Sequence, residues 1–176
     1  MVKYQDIEKI PTARFHYDSE AYYFCTKLIP QWLKEDNLDL NPDFQRGHVW
    51  SERDQVGYIE YLLKGGRTAS TFCFNNPQWN DWTEVSKTVC LDGLQRITAL
   101  QKFINNELKA FGYYFKNFED WKLIKRSLKV SYQVFTFKTR REILQFYLTL
   151  NTCGVKHSPE EIERVSKLLE QENENK

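Results

Sequence analysis

Apolar positions along the chain recur at two spacings, and the changes between them predict alternating helices and strands. Between Ser51 and Gly66, Val56, Ile59 and Leu63 return at helical spacing, with Tyr58 and Leu62 beside the stripe. Ser51 suits the N-cap, Asp54 falls at the third helical position, and Gly65-Gly66 ends the run. Thr71–Phe74 and Thr88–Leu91 read as short buried strands, and Leu128–Phe137 alternates as a half-buried one. From Leu94 to Leu108 a single stripe is formed by Leu94, Ile97, Leu100, Ile104 and Leu108. Thr139 and Glu142 make a T-x-x-E start for a helix with Ile143, Tyr147 and Leu150 on one face, broken at Asn151 and Gly154. Ser158-Pro159-Glu160-Glu161 opens a last helix with a cap, a first-position proline and a third-position acid.

Other stretches are less periodic. Met1–Asp18 reads as an irregular lead-in, Ala21–Thr26 as a strand or a first helical turn, and Leu28–Glu35 as a short helix that tolerates Pro30 in its first turn. Ala110–Phe118 reads as a loop or hairpin. Strands and helices alternate without internal repeats, which predicts one α/β or α+β domain. Its expected divisions are a lead-in and first helix (1–37), the main domain (38–170) and a frayed tail (171–176).

Composition narrows the function classes. The 176 residues suffice for a real core, and 41% of them are hydrophobic. Five Trp, ten Tyr and twelve Phe suit either a dense core or stacking surfaces for bases. A net charge of +1 rules out a global basic field. Charge is uneven, however: Lys116–Arg141 holds eight basic residues against Glu119 and Asp120. That stretch is either a solvated face or a phosphate-facing surface, with Lys122, Lys125, Arg126 and Lys129 the candidates for nucleic-acid contact. Cys25, Cys73, Cys90 and Cys153 include no C-x-x-C pair, which argues against zinc, and the expected cytoplasmic setting would keep the thiols reduced. No run reaches the length of a membrane span, and a cytoplasmic location is expected.

The chemistry-bearing stretch is Thr88–Leu100, TVCLDGLQRITAL. A strand that enters a helix through a glycine turn exposes backbone N–H groups to an anion. Asp92 either caps this helix, with Gln95 reaching back, or stands beside the anion to ligate Mg²⁺ or orient water. Arg96 either reaches the anion or pairs with a neighbouring carboxylate. Gln45, Arg46 and His48 crowd Phe44–Trp50 directly before a capped helix. There a second arginine suits a phosphate clamp, and His48 is a phosphate donor, a general acid–base or a structural residue. Trp50 suits the core or a staple against the helix. Asn151, Thr152, Gly154 and His157 make a third polar loop. The chain has no GxxxxGK[ST], GxGxxG or HExxH motif.

Taken in order, DFQRGHVW, LDGLQRITAL and LNTCGVKHSPEEI resemble the QR-x-x-x-W, DGQQR-x-T-x-L and LN-x-G-x-x-x-x-x-EE motifs of one family. It is the domain found at the N-terminus of GmrSD-type modification-dependent restriction enzymes, within the ParB/sulfiredoxin-like superfamily. The likeness runs from about Leu38 to Leu169. It implies a ParB-like fold with a small mixed sheet flanked by helices, and a cleft that binds a nucleoside triphosphate with Mg²⁺. It also implies NTP hydrolysis linked to DNA metabolism or phage–host conflict. By motif, Gln45, Arg46, Gly93, Gln95, Arg96 and Asn151 would bind nucleotide or phosphate and Asp92 would serve as metal ligand and catalytic residue; His48, which is no motif residue, is the second catalytic candidate on its chemistry alone. Leu94 departs from the pattern, where Gln is usual, and the lost amide bears on hydrolysis rather than binding. Little sequence follows the late motif, so the expectation is a compact stand-alone member without an HNH-type nuclease domain. Two other readings use the same residues: a DNA nickase or nuclease, and a non-enzymatic, nucleotide-gated DNA-binding module. Expected partners are a nucleoside triphosphate, DNA, and a second copy of the chain or a separate effector protein, but no membrane.

Overall fold

Side-chain alternation along the strands decides the architecture. In β2 (Thr71–Asn75), Phe72 and Phe74 join one buried cluster and Cys73 the other. β3 (Val89–Asp92) divides Cys90 from Leu91 in the same way, and β4 (Lys129–Phe135) divides Val130, Tyr132 and Val134 from Phe135. Successive residues of a strand point to opposite faces, so both faces of this sheet are covered. The computed structural model describes residues 3, 6–7, 9–47, 49–79, 81, 87–152 and 159–174.

The sheet is four-stranded and mixed, in the order β1-β4-β2-β3, where β1 is Phe15–Glu20. β1 lies antiparallel to β4, β4 parallel to β2, and β2 antiparallel to β3. The α+β class and the small mixed sheet are therefore as expected. The irregular lead-in is corrected, because its last residues form an edge strand. FHYDSE alternates over too few residues to register as a pattern. What holds it is the ladder to β4 and the stacking of Tyr17 on Tyr132, with ring centroids 4.9 Å apart.

The larger cluster fills the space between one sheet face and the helices. α1 (Ala21–Tyr23), a π-helical stretch at Phe24–Leu28 and α2 (Ile29–Glu35) run on continuously, which resolves Ala21–Thr26 as helical. Phe24 stacks on Phe72 at 5.0 Å, and Trp32 meets Phe74 and Tyr132 edge-on at 5.2 Å each. α3 (Glu52–Leu63) starts with the Ser51–Asp54 capping box and adds Ile59 and Leu62 to the cluster. α4 (Leu94–Ile104) contributes Ile97, Leu100 and Phe103. It stops before Leu108, where Asn106 turns to φ 63°. Each fully buried aromatic or aliphatic side chain here stabilises by about 1.5–3 kcal/mol.

On the opposite face, α6 (Arg140–Thr152) and α7 (Pro159–Glu174) cover Cys73, Leu91 and Phe135 with Leu144, Phe146, Tyr147 and Val165. The Thr139 and Glu142 side chains exchange hydrogen bonds with each other's backbone N–H at 3.3 and 2.9 Å, as the T-x-x-E pattern predicted. α5 (Trp121–Ser127) was not foreseen; it is only seven residues long, and its apolar side, Trp121 and Ile124, packs only partly buried against the core. No helix among the described residues is long and apolar enough to cross a membrane.

Candidate functional site

β3 ends at Asp92, and Gly93 is the N-cap of α4 with φ 130° and ψ −2°. A Cβ there would stand 2.4 Å from Cδ1 of Phe72, so only glycine lets the chain pass over that ring. The capping expectation is corrected at this point: Gly93, not Asp92, is the cap, and no side chain caps the helix. Gln95 therefore completes no box. The first turn of α4 opens on a cleft of about 380 Å³ that Gly93, Leu94, Gln95 and Arg96 help to line. Unsatisfied amides at a helix start favour negative charge.

The glutamines of the two early motifs lock each motif to the other. Gln45 Nε2 donates to the Cys90 carbonyl of β3 at 2.7 Å. In the reverse direction, Gln95 Oε1 accepts from the backbone N–H of Val49 and Trp50 at 3.0 and 3.1 Å, while its Nε2 donates to the Gly47 carbonyl. The loop before α3 is thus pinned to the turn before α4 by side chains satisfying backbone groups. Both residues line the cleft, but their polar ends hold its wall.

Arg96 is also turned into the wall. Its guanidinium donates to the carbonyls of Ala69 (3.1 Å) and Thr71 (2.6 Å), and it pairs with Oδ2 of Asp92. It lies over the Phe72 ring at 5.3 Å, with its side chain 14% exposed. Burial alone would lower its pKa, but the Asp92 carboxylate carries it above the ordinary arginine value. Asp92 itself is 54% exposed at the cleft.

Arg46 is different. Its side chain is 38% exposed, and among the described residues its ion-pair partner is Glu161, at a long 3.8 Å. Glu161, from α7, is buried and accepts from the Tyr147 hydroxyl at 3.4 Å. Around it the α6–α7 hairpin grips the loop that carries Arg46. Arg164 donates to the Asp43 and Phe44 carbonyls, Arg140 to the Asp43 carboxylate at 2.7 Å, and Phe44 meets Tyr147 edge-on at 5.0 Å. The Arg140 hydrogen bond, outweighing desolvation, holds the Asp43 carboxyl below its usual value. A depressed folded pKa gives stability that is present above the unfolded carboxylate pKa and lost as pH falls through the folded one. Asp43→Asn should therefore lower the urea midpoint at neutral pH and flatten its fall on the acid side, the variant and the parent protein converging at low pH. An acid limb as steep as that of the parent protein would contradict this grip.

Asn151, at the end of α6, lines the cleft and donates through Nδ2 to the Tyr147 carbonyl at 2.6 Å. His48, Gly154 and His157 lie outside the described residues. Among the expected nucleic-acid contacts, Lys122 and Arg126 are exposed on α5, Lys125 sits 4.1 Å over the Tyr22 ring, and Lys129 pairs with Glu20 at 3.4 Å. None of the four lines the cleft.

Among the described residues that line the cleft, a divalent metal has one carboxylate to use, Asp92. Asp92 Oδ2 faces Arg96, leaving Oδ1, and Asn151 keeps its amide oxygen. Mg²⁺ is commonly held by one or two carboxylates together with substrate phosphates and waters, so this set fits it as a substrate-borne ion. No cluster of three or more His, Cys, Asp or Glu among the described residues suggests a resident metal. Burial pushes the Cys73 and Cys90 thiols to about 12, which removes them as nucleophiles near neutral pH.

Sequence reasoning missed Glu161 as a site residue, because its place in the last helix start already explained it. It also missed Thr68, Ala69 and Tyr147 on the cleft wall. Thr68 and Ala69 belong to no motif, and Tyr147 looked like part of a core stripe. Comparison with curated proteins and with solved structures gave no significant match. The family described as the GmrSD restriction endonuclease, N-terminal domain, matches residues 29–169. That span contains the cleft, the cross-locked motifs, α6 and all but the end of α7, and the chain belongs to this family.

Proposed function

We propose that the cleft binds a nucleoside triphosphate with Mg²⁺ and hydrolyses it, in the service of DNA metabolism or phage–host conflict. One observation carries the reading: the uncapped first turn of α4 and the side chain of Arg46 reach the same cleft from two separate motifs. The amides at the start of α4 receive phosphate oxygens, and Arg46 adds a guanidinium from the opposite loop. Oδ1 of Asp92 and the amide oxygen of Asn151 would hold Mg²⁺, which supplies charge neutralisation between the phosphates. Arg96 positions Asp92 and fixes the wall rather than serving as the main phosphate ligand. The ParB-like fold inferred from the motifs agrees with a four-stranded mixed sheet between helices. The restriction-endonuclease family makes DNA the plausible partner of this chemistry.

The test is phosphate release from a panel of NTPs, with and without Mg²⁺ and plasmid. Turnover should require Mg²⁺ and be lost in Asp92→Asn. Metal-dependent nicking of the plasmid without nucleotide turnover would replace this reading with that of a nickase. Nucleotide binding that changes DNA affinity without any turnover would leave a gated binding module.

A further inference from the structure

The hairpin between α4 and α5 is built to show its rings. Ala110 and Tyr113 exchange two backbone hydrogen bonds, at 3.0 and 2.9 Å, around a two-residue turn of Phe111 and Gly112. Both turn residues have positive φ, 50° and 82°. Hairpin turns of this kind favour Asn-Gly or Asp-Gly, and a phenylalanine at the first position is strained. Core packing does not account for that strain. Phe111, Tyr113 and Tyr114 are 44%, 57% and 36% exposed, while Leu108, Ala110 and Phe115 on either side are almost fully buried. The backbone is fixed further by Phe111 N–H donating to Glu60 at 2.8 Å and Lys116 N–H to Asn106 at 2.9 Å.

Cations accompany the rings. Lys64 Nζ lies 5.3 Å from the centre of the Phe111 ring, and Lys109 Nζ 5.0 Å from that of Tyr114. Lys64, Lys109 and Lys116 are all exposed, and none of them forms a salt bridge among the described residues. The cores of protein–protein interfaces are poor in lysine, whereas surfaces for single-stranded nucleic acid combine aromatic faces with backbone-tracking cations.

We infer that the Phe111–Tyr114 hairpin is a stacking platform for unpaired bases of a single-stranded nucleic acid, with Lys64, Lys109 and Lys116 meeting its phosphates. Duplex DNA keeps its base faces stacked and offers these rings nothing to receive. The surface is separate from the cleft and does not depend on hydrolysis there.

The test is fluorescence anisotropy with a labelled oligothymidylate and a duplex of equal length. The protein should bind the single strand more tightly. The double variant Phe111→Asn, Tyr113→Ser removes two rings while giving the turn a residue suited to positive φ. It should lose about tenfold or more in single-strand affinity, with its thermal midpoint retained. Lys109→Glu should weaken binding and reduce its salt dependence. Absence of single-strand binding, a preference for the duplex, or unchanged affinity in the double variant would each overturn the inference.

Discussion

Gly93→Ala is expected to cost several kcal/mol of folding stability and to remove ligand binding at the cleft with it. Two costs act together. At φ 130° an L-residue is strained, by about 1–3 kcal/mol. The new methyl would also stand 2.4 Å from the Phe72 ring, which is fully buried and stacked on Phe24 at 5.0 Å. Forcing extra atoms into such a packed core costs about 1–3 kcal/mol more. Phe72 cannot withdraw without disturbing Phe24, and the chain cannot rise without dragging Asp92 from Arg96. Urea denaturation of Gly93→Ala measures the sum. A second variant, Gly93→Ala with Phe72→Leu, should recover part of the packing term but none of the backbone term. A single variant within about 0.5 kcal/mol of the parent would contradict the close approach.

The two motif arginines should respond to mutation in opposite ways. Arg96→Ala takes the guanidinium donor from the Thr71 carbonyl, leaves the Ala69 carbonyl to the Tyr58 hydroxyl, and strips a stacked group from Phe72. An acceptor left unsatisfied costs about 1–3 kcal/mol, and a loss of about that size is expected. Arg96→Lys should not rescue it, because an ammonium cannot span three acceptors in the planar fork of a guanidinium. Arg46→Ala removes a half-exposed side chain with one long ionic contact, and its stability should stay within about 0.5 kcal/mol of the parent. Nucleotide affinity should nevertheless fall by at least tenfold. A stable Arg96→Ala beside an unfolded Arg46→Ala would reverse the roles given to them.

These roles mark how far the sequence could be read. Helix starts were legible where a cap and its partner are three residues apart, as at Ser51–Asp54 and Thr139–Glu142. The same logic offered Asp92 as a cap, one of its two readings, and the helix does not use it, because glycine in an unusual conformation can hold that position without a side chain. β1 and α5 stayed hidden for a common reason: each is short and covered on one side at most, so neither carries a strong period. The three motifs that converge on the cleft were found, but the division of labour within them was not. Gln45, Gln95 and Arg96 satisfy backbone groups far away in sequence, at Cys90, Gly47 and Ala69, and no local pattern encodes such pairings. Glu161 escaped for the opposite reason, since a local explanation was already at hand.

Isothermal titration calorimetry of the protein with a panel of NTPs in Mg²⁺, repeated on Arg46→Ala, tests the central claim most directly. Binding of at least one NTP by the parent protein is predicted, with affinity at least tenfold weaker in Arg46→Ala at an unchanged thermal midpoint. Failure of every NTP to bind, or equal affinity in the two proteins, would contradict it.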